Sequence, residues 1–164
     1  MGFVPATVDY ASRQVDVELL QTIPQPVAEQ QVYLGTVGRT PKIVTGIEKV
    51  VQRYASLLLT TQGDVRFDAQ AGGTMIRAVT QGLVSDAGYL THLFNVVSLN
   101  TVRLMRRDDN DERFGIPPND ERIVDAWLTN VTVDYDTLTA NLTVLISTVA
   151  GDAFTYIIPV STAR

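Results

Sequence analysis

Two hydrophobic periodicities divide the chain into a helical middle and a strand-rich end. Between residues 45 and 107, apolar residues recur every three or four positions, which is the spacing of helices with one buried face. From residue 123 onward, apolar and polar residues alternate, as in a sheet with one solvated face. We therefore predict an α+β fold in which a small antiparallel C-terminal meander packs against two or three helices.

Three helices are predicted in the middle of the chain. The first follows Thr45, which has capping-box spacing to Glu48, and runs to about residue 60. The second spans residues 74 to about 84, and the third spans roughly 86–107. The buried stripes of the three helices are expected to contain Ile47, Val50, Val51, Tyr54, Leu57 and Leu58; Met75, Ile76, Val79 and Leu83; and Leu90, Leu93, Phe94, Val97, Leu104 and Met105.

Three strands are predicted in the last third of the chain, at residues 123–133, 138–147 and 154–160. Short turns separate them, and an acidic run at 108–112 is expected to be a solvated loop before them. Pro159 favours an edge position for the last strand, because proline has no N–H to donate to a neighbouring strand.

Residues 1–40 form an extended N-terminal arm in this interpretation, followed by one domain at 41–164. Pro24 and Pro26 force extended backbone, because proline disfavours the helical conformation of the residue before it. The arm is too apolar for a free tail, so we expect it to lie along another surface. Its apolar residues are Val15, Val17, Leu19, Leu20, Ile23, Val32, Tyr33 and Leu34.

Composition narrows the chemistry. The chain has no cysteine and a single histidine, His92 in the third predicted helix, so we expect neither a disulfide nor a metal site. No phosphate-binding glycine motif is present, and no cofactor is expected. The formal charge of −5 argues against a nucleic-acid partner. No apolar run has the length of a membrane span, so we expect no membrane partner.

Composition does not exclude a Ser-His-Asp triad, but no nucleophile-elbow motif supports one. Acidic pairs are the other candidates for catalysis. Glycoside hydrolysis needs two carboxyl groups, one with a raised pKa. Asp64 with Asp68, and Asp120 with Glu121, lie in turns or beside glycine or proline, where acidic residues usually cap, bend or pair with arginine. We therefore favour structural roles for both pairs.

Three arginines near the end of the third predicted helix could contact a phosphate or an acidic partner. They are Arg103, Arg106 and Arg107, and the acidic run 108–112 follows them directly. Mutual compensation with these acidic residues is the favoured interpretation, and a role in structure or assembly is preferred to ligand binding.

Residues 47–73 contain the most informative motif. An amphipathic helix ends in Leu-Leu-Thr at 58–60, a turn follows at Gly63 and Asp64, then Arg66, and Gly72 or Gly73 closes the loop before the next helix. This order resembles the baseplate wedge, or sheath-initiator, family of contractile phage-type tails, historically labelled lysozyme-like. The family usually has glutamate where this chain has Asp64, and proline at about the position of Ala69.

A second similarity lies just before the meander. The family often has Glu-Pro-Arg and an apolar residue there, and this chain has Asp120, Glu121, Arg122 and Ile123. Arg122 and Ile123 match by residue type, whereas Glu121 stands in the place of the proline. The resemblance covers about residues 41–160 and leaves the arm outside.

The resemblance implies a non-enzymatic structural subunit of a contractile-tail baseplate, which docks on the tail hub and tube and templates the first sheath ring by strand pairing. Its partners would be the sheath protein, baseplate wedge proteins and tail tube or hub proteins, with several copies in a symmetric ring. It would be assembled in the host cytoplasm into the virion tail. Two alternatives stay open: a peptidoglycan-degrading, lysozyme-like tail enzyme, and another tail part such as a terminator or tube-end adaptor. The residues expected to bind partners are Asp120, Arg122, Ile123, Phe154, Tyr156, Ile158, Gly63, Asp64 and Arg66.

Overall fold

The structure is a computed structural model, and it describes residues 16–17, 20–23, 31–34, 43–66, 68–81, 84, 86–111, 115–134, 136 and 139–161. Along these residues, short strands come first, helices follow, and long strands come last. The strands are β1 Asp16–Val17, β2 Leu20–Ile23, β3 Gln31–Leu34, β4 Ile43–Val44, β5 Ile123–Asp134, β6 Thr139–Thr148 and β7 Ala153–Ser161. The helices are α1 Gly46–Leu58, α2 Met75–Thr80, α3 Ala87–Asp109 and a short 3₁₀ helix Asn119–Glu121.

The main sheet has five strands in the order β2-β3-β7-β6-β5. β5, β6 and β7 form the antiparallel meander that the alternating pattern predicted, and it packs against the helices, so the α+β prediction is confirmed. Two register shifts bend β5, one between Ile123 and Asp125 and the other between Leu128 and Asn130. Such bulges increase the local twist of a strand.

One side of the meander and the inner faces of the helices form a single hydrophobic core. β6 alternates strictly between half-buried and buried residues, which puts every second side chain against the helices. Most of the predicted stripe residues are buried; Ile47, Leu57, Ile76, Leu93 and Leu104 are half-buried instead, and Leu83 lies outside the described residues. The largest fully enclosed side chains are Tyr54, Tyr156, Phe94, Leu58, Met75, Leu90, Met105, Leu142 and Ile146.

The start of α1 departs from the predicted capping box. Thr45 occupies the N-cap position, but its side chain makes no capping hydrogen bond. Gly46 follows with a φ of +62°, which a residue with a side chain rarely adopts. The N–H of Gly46 donates instead to Oε1 of Glu121, 75 residues away, at 3.3 Å. A contact with a residue far along the chain therefore caps α1, in place of the predicted capping box between Thr45 and Glu48.

α2 is shorter than predicted and α3 is longer. α2 ends at Thr80, whereas α3 begins after Asp86, whose side chain accepts a hydrogen bond from the N–H of Tyr89 at 2.7 Å. α3 continues to Asp109, so Asp108 and Asp109 belong to the helix and not to the predicted solvated loop. Asp109 is 2% exposed, and placing it in a solvated loop was wrong.

β7 has neighbours on both sides, so the edge position predicted from Pro159 is also wrong. β6 pairs with β7 along its length, and β3 joins β7 in parallel through Gln31 and Ile157. β3 and β2 form an antiparallel hairpin, and β1 pairs separately with β4. In the described strands, the sheet therefore ends at β2 on one side and β5 on the other.

Candidate functional site: the 119–123 segment and the β5 edge

Residues 119–123, which contain the acidic residues and the arginine before the meander, lie between α1 and the sheet. Glu121 is 1% exposed and accepts a hydrogen bond from Nζ of Lys49 at 2.9 Å. On the other side, the N–H of Ala150, in the β6–β7 turn, donates to the carbonyl oxygen of Asn119 at 3.1 Å. A charged contact thus fixes the 3₁₀ helix to α1 while the backbone fixes it to the meander.

Arg122 sits at the surface end of this segment and is half-buried. Its Nη2 donates to Oδ1 of Asn110 at 3.0 Å, and its carbonyl oxygen accepts from the N–H of Val149 at 3.0 Å. The Nε–H of Arg122 is buried and has no hydrogen-bond partner among the described residues. A buried donor without a partner is costly for the folded chain. A further acceptor can reach only the Nη groups, whose contact with Asn110 lies at the surface.

Asp109 is a key residue of this region that the sequence interpretation missed. Its Oδ1 lies 2.8 Å from Nη1 of Arg53, and its Oδ2 accepts from the N–H of Ile123 at 3.3 Å. It therefore ties α1, the end of α3 and the start of β5 together. The spacing could have revealed it, because Asp109 lies one helical turn after the buried Met105.

Helix α3 covers the first half of the outer edge of β5. The guanidinium of Arg106 donates to the carbonyl oxygen of Val124, and the hydroxyl of Ser98 donates to that of Ala126 at 3.5 Å. Residues 128–134 pair with β6 on one side, and no described strand lies on their other side. Over residues 128–133, this half of β5 has main-chain groups that no described strand pairs, and such groups can accept an added strand.

The predicted partner-binding residues fall into two groups. Ile123, Tyr156 and Ile158 are at most 3% exposed and Phe154 is half-buried, so in the folded chain these side chains belong mainly to the core and not to a binding surface. Asp120 is half-buried beside Arg122. The second group, Gly63, Asp64 and Arg66, is on a different loop between α1 and α2, where Gly63 and Asp64 are exposed and Arg66 is exposed as well.

The loop that carries the second group is held against α3. The N–H of Gly73 donates to the carbonyl of Thr60 at 2.8 Å, and the N–H of Gln62 donates to that of Gly73 at 3.0 Å, which closes the loop. Gly73 lies so close to Val97 of α3 that an added Cβ would collide with it. The two glycines predicted as a turn before a helix therefore have a packing role as well.

Asp68 and Glu121, one carboxylate from each predicted acidic pair, are both held by cations. The N–H of Gln70, and next the guanidinium of Arg107, hold the pKa of Asp68 below its usual range, opposite to the shift that a general acid needs. Glu121 is buried against Lys49. His92 is exposed on α3, and the described residues contain no group of three or more potential metal ligands.

Comparison with known proteins adds no identification. The chain matches no family model, and it matches no curated protein sequence. Among the described residues, no helix is long and apolar enough to cross a membrane.

Proposed function

We propose that this chain is a structural subunit of a contractile-tail baseplate that offers the free edge of β5 to an extended strand of the sheath protein. Residues 128–133 of β5 carry the proposal, because they combine a main-chain edge that no described strand pairs with an inner face, Leu128, Val131 and Val133, that packs partly against the core. Strand addition of this kind uses main-chain hydrogen bonds and needs no reactive side chain. The resemblance of residues 47–73 and 120–123 to sheath initiators supports the same role.

The position of α3 narrows the docking segment. Because Arg106 and Ser98 already engage the carbonyl oxygens of Val124 and Ala126, an incoming strand has the second half of β5 available. On the opposite flank of the meander, β3 pairs with β7 at Gln31 and Ile157. The side chains of Thr129, Asn130 and Thr132 are exposed along the open half and suit a wet, polar rim.

Consecutive residues of β5 provide a matched test. In an antiparallel strand, the N–H of one residue points to its neighbour and the N–H of the next points away. Val131 and Thr132 pair with Leu142 and Asn141 of β6. One of Val131→Pro and Thr132→Pro therefore removes a hydrogen bond within the sheet, and the other removes only an outward donor. The variant that loses the hydrogen bond within the sheet should unfold at the lower temperature, so thermal unfolding identifies it.

The proline variant that keeps the wild-type unfolding temperature is the edge probe. In tail assembly, this variant is expected to leave the tube intact and to lose most sheath polymerisation, as scored by electron microscopy. Normal sheaths in the presence of the stable variant would contradict the proposal. Deleting residues 152–164 would be a poorer test, because it removes Tyr156 and Ile158 from the core.

Arg122 is proposed to bind a neighbouring wedge subunit through the Nη end of its guanidinium, which lies at the surface beside Asn110. Arg122→Ala should fold with a nearly wild-type unfolding midpoint, because it loses a single side-chain hydrogen bond to Asn110. It is expected to fail to join the wedge in co-purification, while Arg77→Ala, an exposed arginine on α2, joins normally. Equal incorporation of both variants would make Arg122 a structural residue only.

A cell-wall assay separates this proposal from the hydrolase alternative. The purified chain is expected to leave the turbidity of a peptidoglycan suspension unchanged, while an authentic lysozyme clears it in parallel. Clearing by the purified chain that is lost on Asp68→Asn would replace the baseplate proposal with an enzymatic one.

A further inference from the structure

A cleft on the helical side of the fold lies between α3 and the loop that joins α1 to α2. Its volume is about 390 Å³, which is within the range of ligand-binding pockets, roughly 300–1,000 Å³. The loop wall contributes Gln62, Gln70, Gly72, Gly73 and Thr74, and the helix wall contributes Val96, Val97, Asn100, Arg103, Leu104 and Arg107.

The polar side chains of this cleft are rich in donors and include no carboxylate. Oε1 of Gln70 accepts from Nη1 of Arg107 at 3.3 Å, which leaves the Gln70 amide nitrogen as the available end. The side-chain amides of Gln62 and Asn100 have no hydrogen-bond partner in the part of the chain that the structure describes. The whole chain has a net charge of −5, but the wall of this cleft has hydrogen-bond donors and no carboxylate. The cleft is therefore complementary to an anion.

The two arginines of the cleft differ in how their charge is balanced. Nη2 of Arg107 lies 2.9 Å from Oδ2 of Asp68 and 2.9 Å from Oδ1 of Asp108, so two carboxylates neutralise it. Arg103, one turn earlier on the same side of α3, is exposed and has no ion pair or hydrogen bond among the described residues. Asp108 of the acidic run therefore helps to neutralise Arg107, as expected. Arg103 is the arginine of the cleft whose charge no described carboxylate neutralises.

Apolar residues accompany this cation. Val96 and Leu99 are 48% and 51% exposed on the outer face of α3, and Leu104 lines the cleft beside Arg103. Gly73 abuts Val97 and keeps the loop wall close to the helix, so the cleft is preformed. A ligand matching this surface has a carboxylate for Arg103 and the amides, and aliphatic groups for Val96 and Leu104.

We propose that this cleft binds an extended acidic peptide segment of a neighbouring protein, in which a glutamate or aspartate side chain is flanked by aliphatic residues. The carboxylate accepts from the guanidinium of Arg103 and the amides of Gln62 and Asn100, and the flanking side chains rest on the apolar part of α3. This surface is separate from the β5 edge, and its test does not depend on a role in tails.

The test titrates the ¹⁵N-labelled full chain with the capped peptide acetyl-Leu-Glu-Leu-amide and follows backbone and side-chain amide shifts by NMR. We expect saturable shifts at Gln62, Gln70, Asn100 and Arg103, and weaker binding as salt is added, because the contact is between exposed charges. The capped peptide acetyl-Leu-Gln-Leu-amide, which lacks only the charge, should bind at least about threefold more weakly.

Matched arginine variants locate the site. Arg103→Ala is expected to weaken binding of the glutamate peptide by about fivefold, while Arg77→Ala, which removes one positive charge outside the cleft, leaves binding unchanged. Equal weakening by both variants, equal affinity for the glutamine peptide, or absence of shifts at the cleft residues would overturn the proposal. Inorganic phosphate that saturates the same residues at lower concentration than the peptide would also overturn it, in favour of a simple anion site.

Discussion

The Nζ of Lys49 lies 2.9 Å from Oε2 of Glu121, and the two side chains are only 8% and 1% exposed. The pair joins α1 to the segment that precedes the meander, and the same carboxyl group caps α1 through the N–H of Gly46. A buried ion pair does not by itself imply high stability, since both charges are desolvated. Removing one partner, in contrast, is strongly unfavourable.

Glu121→Gln should therefore lower the free energy of unfolding by about 3 kcal/mol, because it leaves the buried ammonium of Lys49 without its carboxylate. The double variant Lys49→Met with Glu121→Gln should recover most of that loss, since no unbalanced charge remains and Gln can still accept from Gly46. Urea unfolding of the wild type, Glu121→Gln, Lys49→Met and the double variant measures the coupling energy between the two side chains. A double variant as unstable as Glu121→Gln would mean that the charge itself is not the cause.

Two buried tyrosines are predicted to respond in opposite ways to loss of the hydroxyl. The hydroxyl of Tyr54 donates to Oγ of Ser98 at 2.7 Å, whereas the buried hydroxyl of Tyr156 has no hydrogen-bond partner among the described residues. Burial raises the pKa of both tyrosines well above the usual value, so both hydroxyls stay protonated at neutral pH. They differ in whether the proton has an acceptor.

Tyr54→Phe should cost about 1 kcal/mol of stability, and Tyr156→Phe should be neutral or slightly stabilising, because it removes an unsatisfied polar group. Each variant is the control for the other, since both remove one oxygen from the same core. Thermal or urea unfolding measures the difference. A loss of similar size in Tyr156→Phe would reveal a partner for its hydroxyl.

Gly73 and Val97 form a steric pair that a double-mutant cycle can isolate. An added Cβ at Gly73 would collide with Cγ1 of Val97. Gly73→Ala should therefore destabilise the chain by about 1–3 kcal/mol, as overpacking does. In the Val97→Ala background the same change should cost much less, because the colliding methyl group is gone. If the stability costs of Gly73→Ala and Val97→Ala are additive, the strain caused by Gly73→Ala comes from another contact of the loop.

Asp68 is predicted to link the anchoring of its loop to pH. Its pKa is lowered in the folded chain, first by the N–H of Gln70 and then by Arg107. A lowered folded-state pKa gives a stabilisation that is present above the ordinary aspartate pKa and is lost as pH falls through the folded value. The loop should therefore loosen from α3 only in acid, detectable as faster amide exchange at residues 68–73.

Arg107→Gln tests the order of these causes. It should raise the pKa of Asp68 only part of the way to its ordinary value, because the hydrogen bond from Gln70 remains. NMR titration of the Asp68 carboxyl carbon measures this directly. A complete return to the ordinary value would make Arg107 the dominant cause.

The helices and the meander followed from local patterns. Period-3.6 stripes located α1 and α3, and strict alternation located β6 almost to the residue. Short-range signals were less reliable at the ends of elements. Thr45 and Glu48 have capping-box spacing, yet a hydrogen bond to Glu121 caps α1, because a long-range acceptor reaches the N–H of Gly46.

The candidate site was only partly visible in the sequence. The resemblance pointed to Arg122, but the burial of its Nε and its bond to Asn110 depend on how α3 meets the start of β5. Asp109 looked solvated because it lies in an acidic run. In the structure Asp109 is buried and connects Arg53 with Ile123, and the local sign of this was its position one helical turn after Met105.

By itself, the sequence determined α1, α3 and the three strands of the meander, and the face that each of them buries, because hydrophobic periodicity acts on neighbouring residues along the chain. Only the tertiary structure decided which charges were neutralised and which sheet edges stayed open. Those outcomes depend on atoms brought together from distant positions. Helix α3 covers the first half of β5 and leaves 128–133 without a second neighbour among the described strands, and Asp68 balances Arg107 and not Arg103.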